Sequence, residues 1–367
     1  MYGMAPVVAL LHSPRYLLVM GFVAIVTLVS WVTEFQPATA LSNNWSQRNL
    51  GSSTSPASSG LASSGLAHSS DVSVIRLPKH EYAYAAFLAE PEEPSENDDD
   101  DKYFVATRML IYQLLHDPAT RTNNSIPFLV LVTEDIPDRK RQRLIADGAT
   151  IVPVSKISFD WIQASRKRWR DVMAKLHLFN LTQYQRILFL DSDILVVKRM
   201  DGIFEDPAAR VQHNRNKPEN APVDEGVQPA TYVFAGVSGQ GGYDHPYPGR
   251  KGRAANAGFI LLQPSKDLFQ YYLKVAAIPD RFDSKYPEQN LWIYLHRREG
   301  NMPWQQLDPT WNVNWATMND YKHGVASLHT KWWSPGPEQA LRDIALSMRW
   351  KMEGSGEARD ALRSRKL

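Results

Sequence analysis

The chain has 367 residues, and its 41 Lys and Arg nearly balance its 39 Asp and Glu, leaving a formal net charge of +2. This balance argues against nucleic acid as a partner, because proteins that bind nucleic acid present strongly basic surfaces. Hydrophobic residues make up 43% of the chain, enough for a sizeable core, which excludes global disorder. The absence of Cys from the sequence excludes disulfides, thiolate metal ligands and cysteine nucleophiles.

An uncharged apolar segment, residues 16–33, lies near the N-terminus. As a helix it would span about 27 Å, enough to cross the hydrocarbon core of a thin bilayer. Arg15 precedes the segment and no Lys or Arg follows until Arg48, so we expect a single-pass type II anchor with residues 1–15 in the cytoplasm. The alternative is a cleaved signal peptide, with an A-x-A cleavage site at residues 38–40. Either interpretation places the rest of the chain in the secretory lumen.

Residues 34–75 are predicted to be a flexible stem, because Ser and other small residues dominate them and offer little apolar surface to bury. Asn44 lies in an N-glycosylation sequon within this stem, and Asn123 lies in a second sequon within a polar loop. We expect both to be accessible for glycosylation. A third sequon at Asn180 adjoins a central strand, and we expect it to be buried.

From residue 81 onward, strand and helix patterns alternate. The predicted strands are 81–89, 128–133, 150–154, 186–190, 194–197, 231–237 and 257–263, and the predicted helices are 102–116, 139–147, 169–179, 266–277 and 288–295. Continuously apolar strands separated by helices predict an α/β fold, with an open and mostly parallel sheet that binds ligands at the carboxyl ends of its strands. We expect 91–101 to be a solvated acidic loop, 208–253 a long insertion over the edge of the site, and 350–367 a frayed tail.

The sharpest motif is Asp191-Ser192-Asp193, which directly follows the apolar strand RILFL. Residues i and i+2 of an extended segment face the same side, so both carboxylates can reach one divalent cation at the edge of the sheet. With so few protein ligands, Mg²⁺ or Mn²⁺ would complete its coordination with phosphate oxygens of a substrate.

Two enzyme classes place carboxylates in this way. Phosphatases of the haloacid dehalogenase type carry DxD after the first strand of their domain, with the first Asp as nucleophile. Nucleotide-sugar glycosyltransferases carry the pair after several βα units and follow it with another strand. The second order fits this chain, where roughly a hundred residues of the globular body precede Asp191 and an apolar segment follows Asp193.

Residues 174–205 resemble the core of family 8 glycosyltransferases, the glycogenin and galactinol synthase group, and in particular its fungal, membrane-anchored members of the N-acetylglucosaminyltransferase type. Further similarity occurs in order at Asn256-Ala257-Gly258-Phe259, Glu288-Gln289-Asn290 and His329-Thr330-Lys331-Trp332. The resemblance implies a nucleotide-diphospho-sugar transferase fold of the GT-A type in residues 76–335, with flanking helices and a C-terminal helix or tail at 336–367.

The same resemblance implies a retaining glycosyltransferase of the Golgi membrane, with its catalytic domain in the lumen. It would transfer a sugar from a UDP-sugar donor to a glycan or another hydroxyl acceptor with the help of Mn²⁺, or alternatively Mg²⁺. UDP-GlcNAc is the donor that the resemblance favours, with UDP-galactose and UDP-glucose as alternatives. A non-catalytic protein that binds sugar nucleotides is a further alternative.

The resemblance also implies roles for individual residues. Asp191, Asp193 and His329 correspond to the metal ligands, and Glu288, Gln289 and Lys331 to the catalytic group. The implied donor-binding residues are Ala86, Phe87, Leu88, Tyr103, Lys175, Asp191, Ser192, Asp193, Asn256, Gly258, Gln289 and Lys331. Retention requires either that Glu288 acts as a nucleophile or that the leaving phosphate assists attack from the front face of the sugar.

This sequence departs from the family pattern in three places. Glu288 stands where many members have Asp, and the usual HxxGxxKPW ending is shortened to His329-Thr330-Lys331-Trp332-Trp333. The acidic loop at 91–101 and the insertion at 208–253 have no clear counterpart in the family.

Overall fold

The computed structural model of this chain describes residues 81–166, 169–252 and 254–365, which belong to a single folded unit. The predicted anchor at 16–33, the stem at 34–75 and the sequon at Asn44 lie outside the described residues. Within the described residues, no helix has both the length and the apolar character needed to cross a membrane.

Twelve strands, several of them very short, are defined among the described residues. They are β1 (Tyr82–Leu88), β2 (Phe128–Val132), β3 (Thr150–Pro153), β4 (Arg186–Leu190), β5 (Ile194–Val196), β6 (Gln212–His213), β7 (Thr231–Tyr232), β8 (Phe234–Ser238), β9 (Ala255–Leu262), β10 (Gln305–Gln306), β11 (Val313–Asn314) and β12 (Ser327–His329). The α-helices are α1 (Lys102–Leu115), α2 (Asp138–Asp147), α3 (Lys266–Ala276), α4 (Pro287–Leu295), α5 (Met318–His323) and α6 (Gln339–Ser364). A 3-10 helix covers Val172–Asn180.

The central sheet has seven strands in the order β10-β8-β9-β4-β1-β2-β3. Four of its six strand pairs are parallel, which confirms a mixed α/β fold with a mostly parallel sheet. Strand β9 departs from the predicted open parallel sheet, because it pairs antiparallel with both β4 and β8.

Both faces of the central sheet are covered, as the apolar strands predict. Along β1, Ala83 and Ala85 face one hydrophobic cluster, which includes residues of α3, α4 and the 3-10 helix. Tyr84, Ala86 and Leu88 face a second cluster, which includes residues of α1 and α2. This alternation follows from the two-residue repeat of a strand. The carboxyl ends of β1 and β4 open into a cleft.

A second, three-stranded sheet has the order β11-β12-β5. Its antiparallel pair β5–β12 places Ile194 opposite His329 and Leu195 opposite Leu328. Because β5 begins directly after Asp193, this register brings His329 next to the carboxylates at the end of β4.

Three local predictions are wrong. The segment 169–179 is not an α-helix but a 3-10 helix that begins at Val172. The strand predicted at 231–237 is divided into β7 and β8, which pair with different strands. Asn180 is exposed rather than buried, since it follows the last buried turn of the 3-10 helix.

The predicted frayed tail is also wrong for residues 350–364, which continue α6 to Ser364. Met352 and Gly356 are buried on this helix, and Arg143 of α2 contacts Asp360 at 2.6 Å. The charges that suggested a solvated tail form ion pairs with the body of the domain, and the helix is thereby held against it.

Asp101 also departs from the prediction, because it is buried although the acidic loop 91–101 was predicted to be solvated. Its carboxylate accepts hydrogen bonds from the backbone N–H groups of Tyr103 and Phe104 at 3.1 Å each, which caps the N-terminus of α1. Asp99 and Asp100 are exposed and Asp98 is half-buried, in agreement with the prediction of a solvated loop.

Candidate active site

A cleft of about 590 Å³ opens at the carboxyl ends of β1 and β4. Every residue predicted to bind the donor lines this cleft except Ala86. Ala86 does not line the cleft, because the alternation along β1 turns its side chain into the core, where it is fully buried. No described residue of the insertion 208–253 lines the cleft itself, but Tyr243 of the insertion contacts Thr330 beside it. Elsewhere the insertion packs on the body of the domain, where the Arg215 backbone N–H donates to the Asn301 carbonyl at 3.0 Å.

Asp191, Asp193 and His329 meet at the floor of the cleft. One potential ligand atom from each lies within 4.8 Å of the others, and Asp193 Oδ1 is 3.0 Å from His329 Nε2. The turn between β4 and β5 is held by the backbone N–H of Ile194, which donates to the Asp191 carbonyl at 3.2 Å. Two carboxylates and one imidazole form a donor set that suits Mn²⁺ or a similar divalent ion.

Gly258 makes the close approach of these groups possible. A Cβ atom at this position would lie 2.5 Å from His329 Cε1 and 2.6 Å from Asp191 Oδ2. The Gly258 carbonyl also accepts a hydrogen bond from the Asp191 backbone N–H at 2.8 Å. Any larger residue would therefore displace two of the three candidate metal ligands.

Two lysines neutralise the carboxylates. Lys175 is buried, and its ammonium contacts Asp191 at 2.9 Å and Glu288 at 3.0 Å. Burial favours loss of its proton, but the two carboxylates outweigh burial and raise the pKa of Lys175 above its ordinary value. The same ammonium lies 5.0 Å from the centre of the Phe189 ring, which contributes a cation–π contact.

Lys331 contacts the other carboxylate of the motif, Asp193. Its ammonium contacts Asp193 Oδ2 at 2.5 Å and lies 5.9 Å from the centre of the Tyr103 ring. Burial would raise the pKa of Asp193, but the neighbouring His329 and Lys331 lower that pKa well below its usual range. Asp193 is therefore ionised and available as a ligand over the whole physiological pH range.

Three features of the site were not predicted from the sequence. Thr107 of α1 shares a hydrogen bond of 2.8 Å with Ser192, which ties the middle of the motif to the helix. Lys140 is buried between Glu90 and Asp101, at 3.0 Å and 2.8 Å. Neither contact has a sequence signal, since each joins residues that are distant along the chain.

The third feature is a pair of aromatic residues, Trp169 and Tyr286, which line the cleft. Their ring centres are 5.0 Å apart, and the ring planes are inclined at 45°. The high content of Trp and Tyr was a weak signal for such a surface, because it did not indicate which rings lie in the core and which reach a site.

Comparison with known proteins identifies the class. The chain is 31% identical over 137 residues to the putative glucuronosyltransferase PGSIP8 of Arabidopsis thaliana, across 35% of this chain and 25% of that protein. It is 29% identical over 128 residues to glucose N-acetyltransferase 1 of Gibberella zeae, across 32% of this chain and 28% of that protein. These matches establish homology to glycosyltransferases, and they cover about a quarter of each relative.

The chain belongs to the same family as the uncharacterized protein C4C3.09 of Schizosaccharomyces pombe, to which it is 30% identical over 262 residues. This alignment covers 64% of the present chain and 68% of the yeast protein. No family model matches the chain. Among solved structures, the glycosyltransferase GlyE of Streptococcus pneumoniae aligns with 73% of this chain and 60% of its own at a TM-score of 0.41 and 14% identity.

Proposed function

We propose that the chain is a retaining glycosyltransferase of family 8 with a GT-A fold, which uses a UDP-sugar donor and a divalent metal ion. The observation that carries this proposal is the meeting of Asp191, Asp193 and His329 at the floor of the cleft, between Lys175 and Lys331. Homology to glycosyltransferases supports the class, and the resemblance noted from the sequence supports the finer assignment.

The three ligand residues fit Mn²⁺, with Mg²⁺ as the alternative. The space left by Gly258 and the mixed oxygen and nitrogen donors suit a small ion of this kind. When bound, such an ion supplies positive charge for the oxygens of the donor diphosphate.

Lys331 and Lys175 would have different roles in the reaction. Lys331 lies beside the metal-ligand group and its charged side chain is 40% exposed, so we infer that it moves from Asp193 to the donor diphosphate and stabilises the leaving UDP. Lys175 is fixed between two carboxylates, so we infer that it positions Asp191 and Glu288 rather than binding the donor directly.

The identity of the transferred sugar rests on resemblance. UDP-GlcNAc is our first choice, with UDP-galactose and UDP-glucose next. Two plant relatives are named as glucuronosyltransferases, which adds UDP-glucuronic acid to the set that should be tested. The acceptor is a glycan or another hydroxyl compound.

A donor screen with the purified full chain tests the function. We expect UDP release from at least one of these UDP-sugars, dependent on Mn²⁺. We further expect Asp193→Asn to lose Mn²⁺-dependent UDP binding in calorimetry while its melting temperature stays close to that of the wild type. Asp160→Asn is the matched control, because Asp160 is exposed and lies outside the cleft.

Unchanged UDP affinity in Asp193→Asn would remove the motif from the donor site. Release of inorganic phosphate from a phosphomonoester, together with indifference to all UDP-sugars, would instead favour the haloacid dehalogenase interpretation. UDP-sugar binding without any turnover would favour the non-catalytic alternative.

We also propose that the catalytic domain lies in the Golgi lumen behind a type II anchor at 16–33, on the basis of the sequence pattern. Protease added to sealed Golgi vesicles should then leave the chain after Glu34 intact, and the protein should remain with membranes at alkaline pH. A soluble species that begins at Leu41 would show that the apolar segment is a cleaved signal peptide.

A further inference from the structure

Trp169 and Tyr286, the aromatic pair in the cleft, have no role in the function proposed above. Trp169 and Tyr286, here called the aromatic wall, both line the cleft, and Tyr286 is 46% exposed. A tyrosine with so much accessible surface gains little from core packing, so its place on a cleft wall points to a ligand that covers it.

The segments that carry the aromatic wall are joined to each other. Ser165 donates hydrogen bonds from its backbone N–H and its hydroxyl to the Lys285 carbonyl, at 3.1 Å and 2.9 Å. Trp161 donates from its indole N–H to the Ala276 carbonyl at 2.8 Å and meets Phe282 edge-on at 4.9 Å. These contacts join the two segments that carry the rings, and the rings themselves contact each other.

A chain of contacts gives the position of the wall in the cleft. Tyr286 comes two residues before Glu288, which contacts Lys175, which in turn contacts Asp191. Beyond the metal-ligand group, Asp193 contacts Lys331, which lies over the ring of Tyr103. The wall and Tyr103 therefore lie at opposite ends of this series.

This order separates the wall from the nucleotide. The proposed function places the diphosphate at the metal ligands and Lys331, and the transferred sugar near Glu288 and Gln289. In this series of contacts the wall follows Glu288, at the end away from Tyr103, and this order is consistent with an acceptor that approaches the transferred sugar beside the wall.

We infer that the aromatic wall is an acceptor subsite that binds the apolar face of a pyranoside, so that the acceptor is a sugar. This inference rests on the proposed function and narrows its acceptor class. A pyranose ring presents axial C–H groups on one face, which pack on aromatic rings, while its hydroxyl groups stay at the rim and reach polar groups or water. A serine acceptor in a protein has no such face and would not need two rings.

The test uses the full chain labelled with 5-fluorotryptophan and observed by fluorine NMR, with the Trp169 signal assigned from Trp169→Phe. Methyl pyranosides of glucose, galactose, mannose and N-acetylglucosamine are titrated in the presence of UDP and Mn²⁺. We expect at least one of these glycosides to shift the Trp169 signal saturably. Tyr286→Ala should lower the affinity for that glycoside about tenfold, because one ring contact is lost. UDP affinity should change less than about twofold in Tyr286→Ala, because the inference assigns the wall to the acceptor rather than to the nucleotide.

Tyr321→Ala and Trp350→Ala are the matched controls, since both residues are exposed aromatics outside the cleft. If the wild type binds UDP but no glycoside moves the Trp169 signal, the inference is overturned and the proposed function stands. If Tyr286→Ala lowers the affinity for UDP as much as the affinity for the glycoside, the wall belongs to the donor site and the inference is again overturned. A wild type that does not bind UDP at all would overturn the proposed function itself.

Discussion

Glu288 is the residue whose geometry bears most directly on the chemistry of transfer. Its Oε1 atom lies 3.0 Å from the ammonium of Lys175, which also holds Asp191 at 2.9 Å, and the Glu288 side chain is largely buried. A carboxylate held in this way is less free to attack a sugar carbon. The geometry therefore favours front-face attack assisted by the UDP phosphate over a covalent intermediate on Glu288.

We expect Glu288→Gln to keep the donor affinity of the wild type and to retain turnover, reduced about ten- to a hundredfold because Lys175 loses one of its two partners. UDP release and calorimetry measure the two quantities separately. Glu299→Gln is the control, since Glu299 is exposed and outside the cleft.

Complete loss of turnover in Glu288→Gln, with donor binding intact, would make Glu288 the nucleophile. With either mechanism, an α-linked UDP-sugar should give an α-linked product. A β anomeric coupling in the NMR spectrum of the product would contradict retention and the assignment to family 8.

At the scale of elements, Lys140 joins α2 to the start of α1 and to the loop that borders the cleft. It is fully buried and contacts Glu90 at 3.0 Å and Asp101 at 2.8 Å, while Asp101 caps α1. Burial disfavours its charge, but hydrogen bonds to Asp101 and Glu90 raise the pKa of Lys140 above its ordinary value. This lysine thus couples a helix cap to the wall of the cleft.

We expect Lys140→Met to lower the free energy of unfolding by about 3–5 kcal/mol, because it leaves two carboxylates without a cation at a buried position. Lys156→Met is a matched control, since Lys156 also bridges two carboxylates, Asp135 and Asp171, but its side chain is 44% exposed. We expect the control to cost less than about 1 kcal/mol, because solvent screens exposed pairs. Equal losses in the two variants, measured by urea denaturation, would show that burial of Lys140 is unimportant.

At the scale of the whole molecule, a buried histidine makes stability depend on pH. His296 is 1% exposed, its Nε2 accepts from the Tyr272 hydroxyl at 2.5 Å and its Nδ1–H donates to the Met302 carbonyl at 2.7 Å. Burial lowers the pKa of His296 to about 3, against the hydrogen bond to Met302, which raises it. The folded chain therefore keeps this imidazole neutral under conditions in which the unfolded chain takes up a proton.

Because the unfolded state binds the additional proton below about pH 6.5, the free energy of unfolding should fall as the pH decreases from about 6.5 towards 3. His296 alone should contribute a slope of up to about 1.4 kcal/mol per pH unit in this range. We expect His296→Gln to be less stable at pH 7 but to show a shallower pH dependence in urea denaturation between pH 7 and 4. The surface variant His213→Gln should keep the slope of the wild type, and an unchanged slope in His296→Gln would contradict this assignment.

Much of the fold could be predicted from the sequence because its signals are local. The apolar strands β2 and β4 and the helices α1 and α3 show their periodicity within a few residues, and the structure places them within one residue or so of the predicted bounds. The Asp191-Ser192-Asp193 motif is also local, since a strand end and a two-residue spacing are enough to direct both carboxylates to one edge.

The remaining features depend on contacts between distant parts of the chain. The antiparallel insertion of β9 beside β4 is decided by sheet packing, and the burial of α6 is decided by partners on α1 and α2. The buried charges of Lys140 and Glu225 are tolerated only because folding brings opposite charges next to them. Asp101 pairs with Lys140, and Arg281 pairs with Glu225. A pattern that spans ten residues contains no information on such pairs.

The sequence by itself therefore determined an α/β chain homologous to glycosyltransferases, with a carboxylate pair at a strand end. Only the tertiary structure decided which groups complete the site. The register of β5 against β12 places His329 beside Asp193, the missing side chain of Gly258 leaves space for both, and Lys331 reaches Asp193 across 138 positions of sequence. The physical reason is that strand patterns are set by neighbouring residues, whereas ion pairs and metal sites form wherever folding brings opposite charges within a few ångströms.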